Sequence, residues 1–576
     1  MTRASPPALT LAGIVLAAAA LWGTLGQQLD VPTVFGDELI HWDASRSLAA
    51  GHGLSVREGG YGFGPLYPVL LAPVHLLAST DLGAYRWARL LDALVFALAA
   101  VPGYLLARRL LPSGWSLACA ALVVAIPSAL YTGFVMTESV AYTTCVLAFL
   151  AFARCLERPT IAAQLFVLGA LGLATAARFQ LAALGLALVL ALVARALLTP
   201  RDTRRELVAL WPLAAVLGAA AVALAVRAAL GNPLEGYGDL WRSYDLVEVV
   251  RWTWRAFAGL GLYLALLPLV VAPATVYALC RDARRGDRSA AAFVALFLCV
   301  NAVLLVVVGA FSSTEFGVGF LHDRYLFYVV PLWIVATAAW AQRRISLGPV
   351  GIAAGTLLVL VPLATLPTYL LNADGGRRFD AVAAGLPSEL AQRAGLSEPQ
   401  RWWLLAAAIG AVVLAVALGR APRWLVLVPV AAVFALNAGF AWDSRIDAAR
   451  NTTFAPMNAD TVAWVDRAVP GRARVATLAG GVPVETRDAL RLTEFFNASI
   501  GPAYALGGGY APTLAATTLR VGGGAVLLTD SGPVHVGWVV APKELALVGE
   551  VVAEGTVEGL RLWRVHGPLQ LAEPSG

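Results

Sequence analysis

Two carboxylates stand side by side in Phe35-Gly36-Asp37-Glu38-Leu39-Ile40-His41-Trp42, shortly after the first long apolar run. A carboxylate held close to a membrane surface is partly desolvated, which makes it a better base toward a hydroxyl proton. The same pair also fits a solvated acidic cap on an interfacial helix. A second acid, Glu138, lies in Met136-Thr137-Glu138-Ser139 at the entrance to a later apolar run. An acid at the membrane edge is costly unless it has a partner or a task. Arg178, at the end of a following run, can serve as that partner, in a structural ion pair or in a site. A third group, Glu315 followed by His322-Asp323-Arg324-Tyr325, opens a late run. An interfacial Arg and Tyr anchor is the plain reading of its last residues. Arg89 and Asp92, spaced to meet on one helix face, read as a structural pair.

These groups must be positioned by membrane helices. Hydrophobic residues make up 59% of the 576-residue chain and charged residues 14%, against about 25% charged in soluble domains. Apolar runs long enough to cross a bilayer recur along the chain, and they predict about thirteen transmembrane helices. Among them are Trp87–Leu106, Trp115–Leu130 and Phe257–Leu279. The first, Ala8–Gly26, reads as an uncleaved anchor; with Arg3 before it and small residues after it, a signal peptide is the other reading.

With the N-terminus inside, the inner loops hold Arg108/Arg109, Arg154/Arg158, Arg195 to Arg205, Arg281 to Arg288, Arg343/Arg344 and Arg420/Arg423. Every inner loop is basic, as the positive-inside rule requires. Residues 27–86 then form the first extracytoplasmic loop, with the acids Asp37 and Glu38. Arg324 falls on the outer face, against the charge pattern. The net charge of +6 is spread over loop ends rather than gathered with aromatics, which argues against a nucleic-acid partner. No Walker-type glycine loop is present, so ATP-driven transport is unsupported.

The division expected is a membrane domain over 1–442 and a small extracytoplasmic domain over 443–576. A helix-like stretch at Thr461–Ala468 precedes β-type runs at Arg474–Leu478, Ala525–Leu528, Val534–Val540, Val548–Val552 and Leu560–Val565, so this domain reads as α/β or mostly β. No cysteine follows Cys299, so it must fold without disulfides. Asn451-Thr452-Thr453 and Asn497-Ala498-Ser499 match the glycosylation-acceptor pattern and carry little weight in a bacterial chain.

The Asp37-Glu38 pair after the first span, a nearby Gly-Leu, the Pro65-Leu66-Tyr67-Pro68 turn, Met136-Thr137-Glu138 and His322-Asp323-Arg324-Tyr325 occur in one order. In that order they resemble the GT-C superfamily of integral membrane glycosyltransferases, in the style of protein O-mannosyltransferases and of aminoarabinose and arabinofuranosyl transferases. The resemblance covers roughly the first 345 residues. It implies short amphipathic helices in the first loop that roof a cavity for donor and acceptor. It also implies sugar transfer from polyprenyl phosphate to a hydroxyl of a cell-wall glycan, lipid or protein, with inversion, at a multi-pass inner-membrane protein. On that reading Asp37 is the general base and Glu38 its substitute or orienting partner. Arg324, with Arg178 or His322, binds the donor phosphate, and Glu138, Asp323, Tyr325 and Tyr67 support the site. No cofactor or obligatory metal is expected, because a single phosphate leaves. Trp402-Trp403 is followed by Leu404, so the Trp-Trp-Asp triplet of oligosaccharyltransferases is absent.

The rival class is a transporter or lipid flippase, whose mark is internal repeats or broken helices with ionisable groups at the midplane. No repeat is visible, and the acids cluster toward one face. A non-catalytic scaffold has no need for converging acids and arginines. The enzyme reading requires Asp37 and Arg324 to lie within about 10 Å of each other.

Overall fold

A computed structural model describes residues 6–572 except 30–31, 33–35, 58, 200–207, 230–243, 315–316, 318, 373–380, 451–458, 472, 481–483, 507–515 and 556–558. Glu315, Arg201 to Arg205 and the Asn451 acceptor pattern lie outside the described residues.

The chain is a multi-pass membrane protein. Seven of its described helices are long and apolar enough to cross a membrane, or nine if each of two bent pairs is one span. Four shorter apolar helices add to them. The first elements are α1 (Pro6–Gln27), α2 (Gly36–Ala49), a β1–β2 hairpin (Ser55–Val56 and Gly59–Gly60) and α3 (Leu66–Leu77). There follow α4 (Asp81–Ala97), α5 (Ala100–Ala107), α6 (Ser113–Val124), α7 (Glu138–Glu157), α8 (Ile161–Ala177) and α9 (Leu184–Leu198). α7 starts at Glu138 and has Arg154 in its last turn. The acids that could do chemistry and the basic loops therefore sit at opposite ends of the bundle, roughly 30 Å apart at 1.5 Å per residue.

Two runs that read as straight crossings are bent. Trp115–Leu130 breaks between α6 and a 3-10 turn, Pro127–Gly133, at 51°. Pro127 supplies no amide hydrogen to continue α6. Phe257–Leu279 falls into two helices, Leu246–Tyr263 and Leu267–Arg284, that meet at 104°. The first of these is amphipathic, with Glu248, Arg251 and Arg255 among its apolar residues. It cannot be immersed in hydrocarbon along its length, so the chain turns, and Ala265 and Leu266 adopt positive φ of 60° and 61°.

The C-terminal region is an α/β domain around an eight-stranded sheet, ordered β7-β6-β5-β4-β3-β8-β10-β9. These strands are β3 (Val475–Gly480), β4 (Ile500–Leu506), β5 (Thr517–Val521), β6 (Leu527–Thr529), β7 (Gly532–Pro533), β8 (Trp538–Pro542), β9 (Glu550–Glu554) and β10 (Leu560–Arg564). The centre, β8-β3-β4-β5, is parallel. Parallel neighbours need a crossover, and the helix Val484–Phe496 provides it between β3 and β4. Pro502 lies in β4, where the register against β3 shifts between Val475 and Thr477. Such an irregularity is where a proline fits inside a sheet.

One close approach ties the first loop to the bundle. A Cβ on Gly64 would stand 2.5 Å from the carbonyl oxygen of Ala176 and 2.8 Å from that of Ala177, at the end of α8. Backbone cannot yield as a flexible side chain does. Gly64→Ala is expected to destabilise the folded protein by about 1–3 kcal/mol, read as a lowered thermal midpoint in detergent. An unchanged midpoint would show that this turn is not locked onto α8.

Candidate active site

Asp37 and Glu38 occupy the first turn of α2, where the helix dipole favours negative charge. They face different surroundings. Glu38 is fully buried, and its Oε1 accepts from the backbone N–H of Val135 at 3.1 Å, just ahead of α7. Asp37 keeps 42% of its side chain exposed, and its Oδ2 accepts from Arg324 Nη2 at 2.9 Å.

Glu138 is the hub of the cluster. Its Oε1 accepts from Arg324 Nε at 2.5 Å and from Arg178 Nη1 at 2.6 Å. Its Oε2 is buried with no hydrogen-bond partner among the described residues, and so is the hydroxyl of Tyr328. Arg178 stands at the break between α8 and the 3-10 turn Phe179–Ala183, where its extended backbone turns the side chain from the helix line. It also donates to Gln180 and lies over the Tyr325 ring at 4.7 Å. Both guanidiniums are buried, as is Glu138. Two arginines therefore face two carboxylates, Asp37 and Glu138, in a region shielded from water.

Arg324 is aimed by its neighbour. Asp323 accepts from the backbone N–H groups of Val382 at 3.1 Å and Ala383 at 2.6 Å, so it caps the helix Val382–Arg393. This fixes the turn Asp323–Tyr325. His322 donates from Nε2 to Gly317 O at 2.8 Å and packs on Phe311, Phe320 and Tyr325. Its contact with the arginine pair runs through the Tyr325 ring. Tyr67 donates to buried Asp92 at 2.7 Å. Arg89 turns instead to the carbonyls of Gly26 and Leu29. The i, i+3 pair expected of Arg89 and Asp92 is thus replaced by two separate anchors, because each finds a buried partner on another element.

His41 was not among the candidates from sequence. One turn after Asp37, it is buried among Tyr61, Phe63 and Tyr67, with Nδ1 2.9 Å from the Tyr61 hydroxyl. Its i+4 spacing from Asp37 was the available signal. Burial lowers its pKa from 6.5 to about 4, although Asp37 and Glu138 pull the other way. It is a neutral ring that supports the face of α2 bearing Asp37.

The C-terminal domain grips the same helix. Arg57, at the hairpin tip with φ of 54°, makes two bonds to Glu494, at 2.6 and 2.7 Å. Both side chains are more than nine-tenths buried. Trp42 stacks on Phe495 with centroids 4.5 Å apart and donates Nε1 to its carbonyl at 2.7 Å. Arg46 donates to that same carbonyl. Tyr85 of α4 meets Phe495 and Phe496 edge-on. The helix Val484–Phe496 thus clamps α2 through Trp42 and Arg46.

No family model and no curated protein matches the chain. Two solved structures align with nearly all of it. One is a crystal structure of ArnT from Cupriavidus metallidurans bound to undecaprenyl phosphate, with TM-score 0.54, 16% identity, and 96% of this chain and 97% of that one covered. The other is ArnT from the same organism in the apo state, with TM-score 0.50, the same identity and the same coverage. The chain shares the fold of these two structures, a multi-pass helical membrane fold.

Two outcomes are expected. Glu494→Ala removes both carboxylate bonds of a buried guanidinium and should cost about 3–5 kcal/mol, measured as a lower thermal midpoint. A loss below 1 kcal/mol would mean that the clamp contributes little. For His41, the folded value lies below the unfolded one, so its stabilising contribution is complete above pH 6.5 and is lost as the pH falls toward 4. The loss is on the order of 3 kcal/mol for this shift. Unfolding midpoints across that range should decline in the wild type and decline less in His41→Phe; parallel profiles would remove His41 as the titrating group.

Proposed function

Proceeding from this fold and from the resemblance of its motifs to the GT-C superfamily, we propose that this protein is a membrane glycosyltransferase. It moves a sugar from a polyprenyl-phosphate carrier to an acceptor hydroxyl at the extracytoplasmic face, with inversion. The observation that carries the reading is the 2.9 Å contact between half-exposed Asp37 and buried Arg324. An acid that faces open space is thereby joined to a guanidinium held in a shielded site.

The charges suggest how the reaction starts. Arg178 is paired with Glu138, and Arg324 with Glu138 and Asp37. A donor phosphate that enters takes over Arg324 Nη2, while Glu138 retains Nε and keeps the guanidinium oriented. Asp37 is released toward the acceptor. The acceptor oxygen then attacks the anomeric carbon as its proton passes to Asp37. The bond from that carbon to the phosphate oxygen breaks, and its electron pair leaves with the polyprenyl phosphate. Arg324 and Arg178 stabilise the charge that develops there. Glu38 holds the chain ahead of α7 and orients α2. Tyr325 keeps Arg178 in place through its ring. The reading calls for no metal, because a monophosphate leaves and two guanidiniums meet it.

The support for the extracytoplasmic side is the opposite end of the bundle, where Arg108, Arg109, Arg154 and Arg158 gather. The ArnT structure holds undecaprenyl phosphate, which is a carrier of the class proposed here. The clamp on α2 favours a scaffolding role for the C-terminal domain over that of an acceptor-binding module.

Asp37→Asn is expected to lower transfer by about 10²–10⁴-fold, the usual contribution of a general base, while the donor still binds. Arg324→Gln should lose donor binding as well. The assay follows radiolabelled polyprenyl-phosphate sugar in proteoliposomes, with membrane insertion checked in parallel. Wild-type transfer by Asp37→Asn would exclude it as the base. Movement of intact donor across the bilayer without turnover would point to a flippase.

A further inference from the structure

We propose that the basic end of the bundle carries a second anion site, a pocket for the headgroup phosphate of an anionic membrane phospholipid. Where the α5–α6 and α7–α8 connections meet, a cavity of about 370 Å³ is lined by Arg109, Arg154, Arg158, Thr160 and Phe166. Three guanidiniums share it with one carboxylate, Glu157. That acid is committed to Arg109, which donates Nε to Glu157 Oε1 at 2.9 Å. Arg154 lies over the Phe166 ring at 5.9 Å. Neither Arg154 nor Arg158 has a carboxylate within ion-pair distance among the described residues. Both are exposed into the opening. The uncompensated field is felt by Arg109, whose pKa is lowered by burial and then by Arg154 and Arg158.

A phosphate fits this chemistry. Guanidiniums bind it through paired N–H groups, and the Thr160 side chain already sits in the wall. Two features favour a lipid over a free ion. The pocket lies at the far end of α7 from Glu138, at the second membrane boundary, where headgroups are concentrated. From its mouth the outer face of α8 continues as an apolar strip, with Ile161 58% and Leu165 63% exposed and Leu173 further along. Acyl chains can lie along that strip while the phosphate is held above it. The topology rule accounts for arginines in this loop, but not for a formed cavity or for their stacking on an aromatic ring. This inference stands independently of glycosyl transfer.

The full-length protein is placed in nanodiscs of phosphatidylcholine alone or with added phosphatidylglycerol, and thermal midpoints are compared. Phosphatidylglycerol should raise the wild-type midpoint by several degrees. The double variant Arg154→Gln/Arg158→Gln should keep the wild-type midpoint in phosphatidylcholine and lose the rise. Native mass spectrometry should show phosphatidylglycerol bound about fivefold more weakly for each arginine removed, the factor expected from about 1 kcal/mol per charge. In detergent, inorganic phosphate alone should leave the midpoint unchanged. If phosphate reproduces the rise, the lipid is overturned as occupant. If the double variant gains the full rise, or the wild type gains none, the site is overturned. Should the double variant fail to insert, Arg158→Gln gives the same reading, since its side chain projects beyond the end of α7.

Discussion

A single guanidinium organises this molecule. Arg324 holds Glu138 with one nitrogen and Asp37 with another, and so joins the start of α7, the turn Asp323–Tyr325 and the first loop at one point. Burying such a charge is unfavourable unless its hydrogen bonds are met. The bonds to Glu138 and Asp37, and the cap that Asp323 places on the helix Val382–Arg393, meet that demand. Arg178 then shares the Glu138 oxygen. The result is a cluster of paired charges in which Arg324, Arg178 and Glu138 are buried and Asp37 keeps access to open space. Such a cluster is stable when empty, and an arriving anion can enter it by exchanging places with one acid.

What the sequence showed of this site follows from charge placed against pattern. Asp37, Glu138 and Arg324 were legible because ionisable residues at the rim of apolar runs are costly and Arg324 opposes the charge bias of the loops. The division of labour between Asp37 and Glu38 was not legible. Neighbours on a helix point about 100° apart, and only packing decides which one is buried. His41 was hidden for a similar reason, since its role depends on Tyr61, Phe63 and Tyr67 converging from beyond a hairpin. Tyr67 reads as a site residue from the turn it belongs to, yet its hydroxyl serves Asp92.

The fold was legible in proportion to the uniformity of each element. The apolar runs and basic loops identify a multi-pass helical bundle. The 104° bend was passed over because Leu264 to Leu267 continues an apolar run, although Pro268, which opens the second helix, marks the break. The amphipathic stretch Leu246–Arg255, with Glu248, Arg251 and Arg255, also carries the signal. In the C-terminal domain the β3, β6, β8, β9 and β10 strands overlap the β-type runs, whereas β4 and β5 were missed. In β4 the Gly501-Pro502 pair reads as a turn and is in fact an irregularity inside the sheet.

The contact between Arg57 and Glu494 spans 437 positions of chain. The acid-bearing helix α2 is thus braced by a helix encoded far downstream of it. A change within Val484–Phe496 reaches the position of Asp37 through Trp42, Arg46 and Arg57 without touching the carboxylate itself, so the two distant stretches of sequence are mechanically one unit.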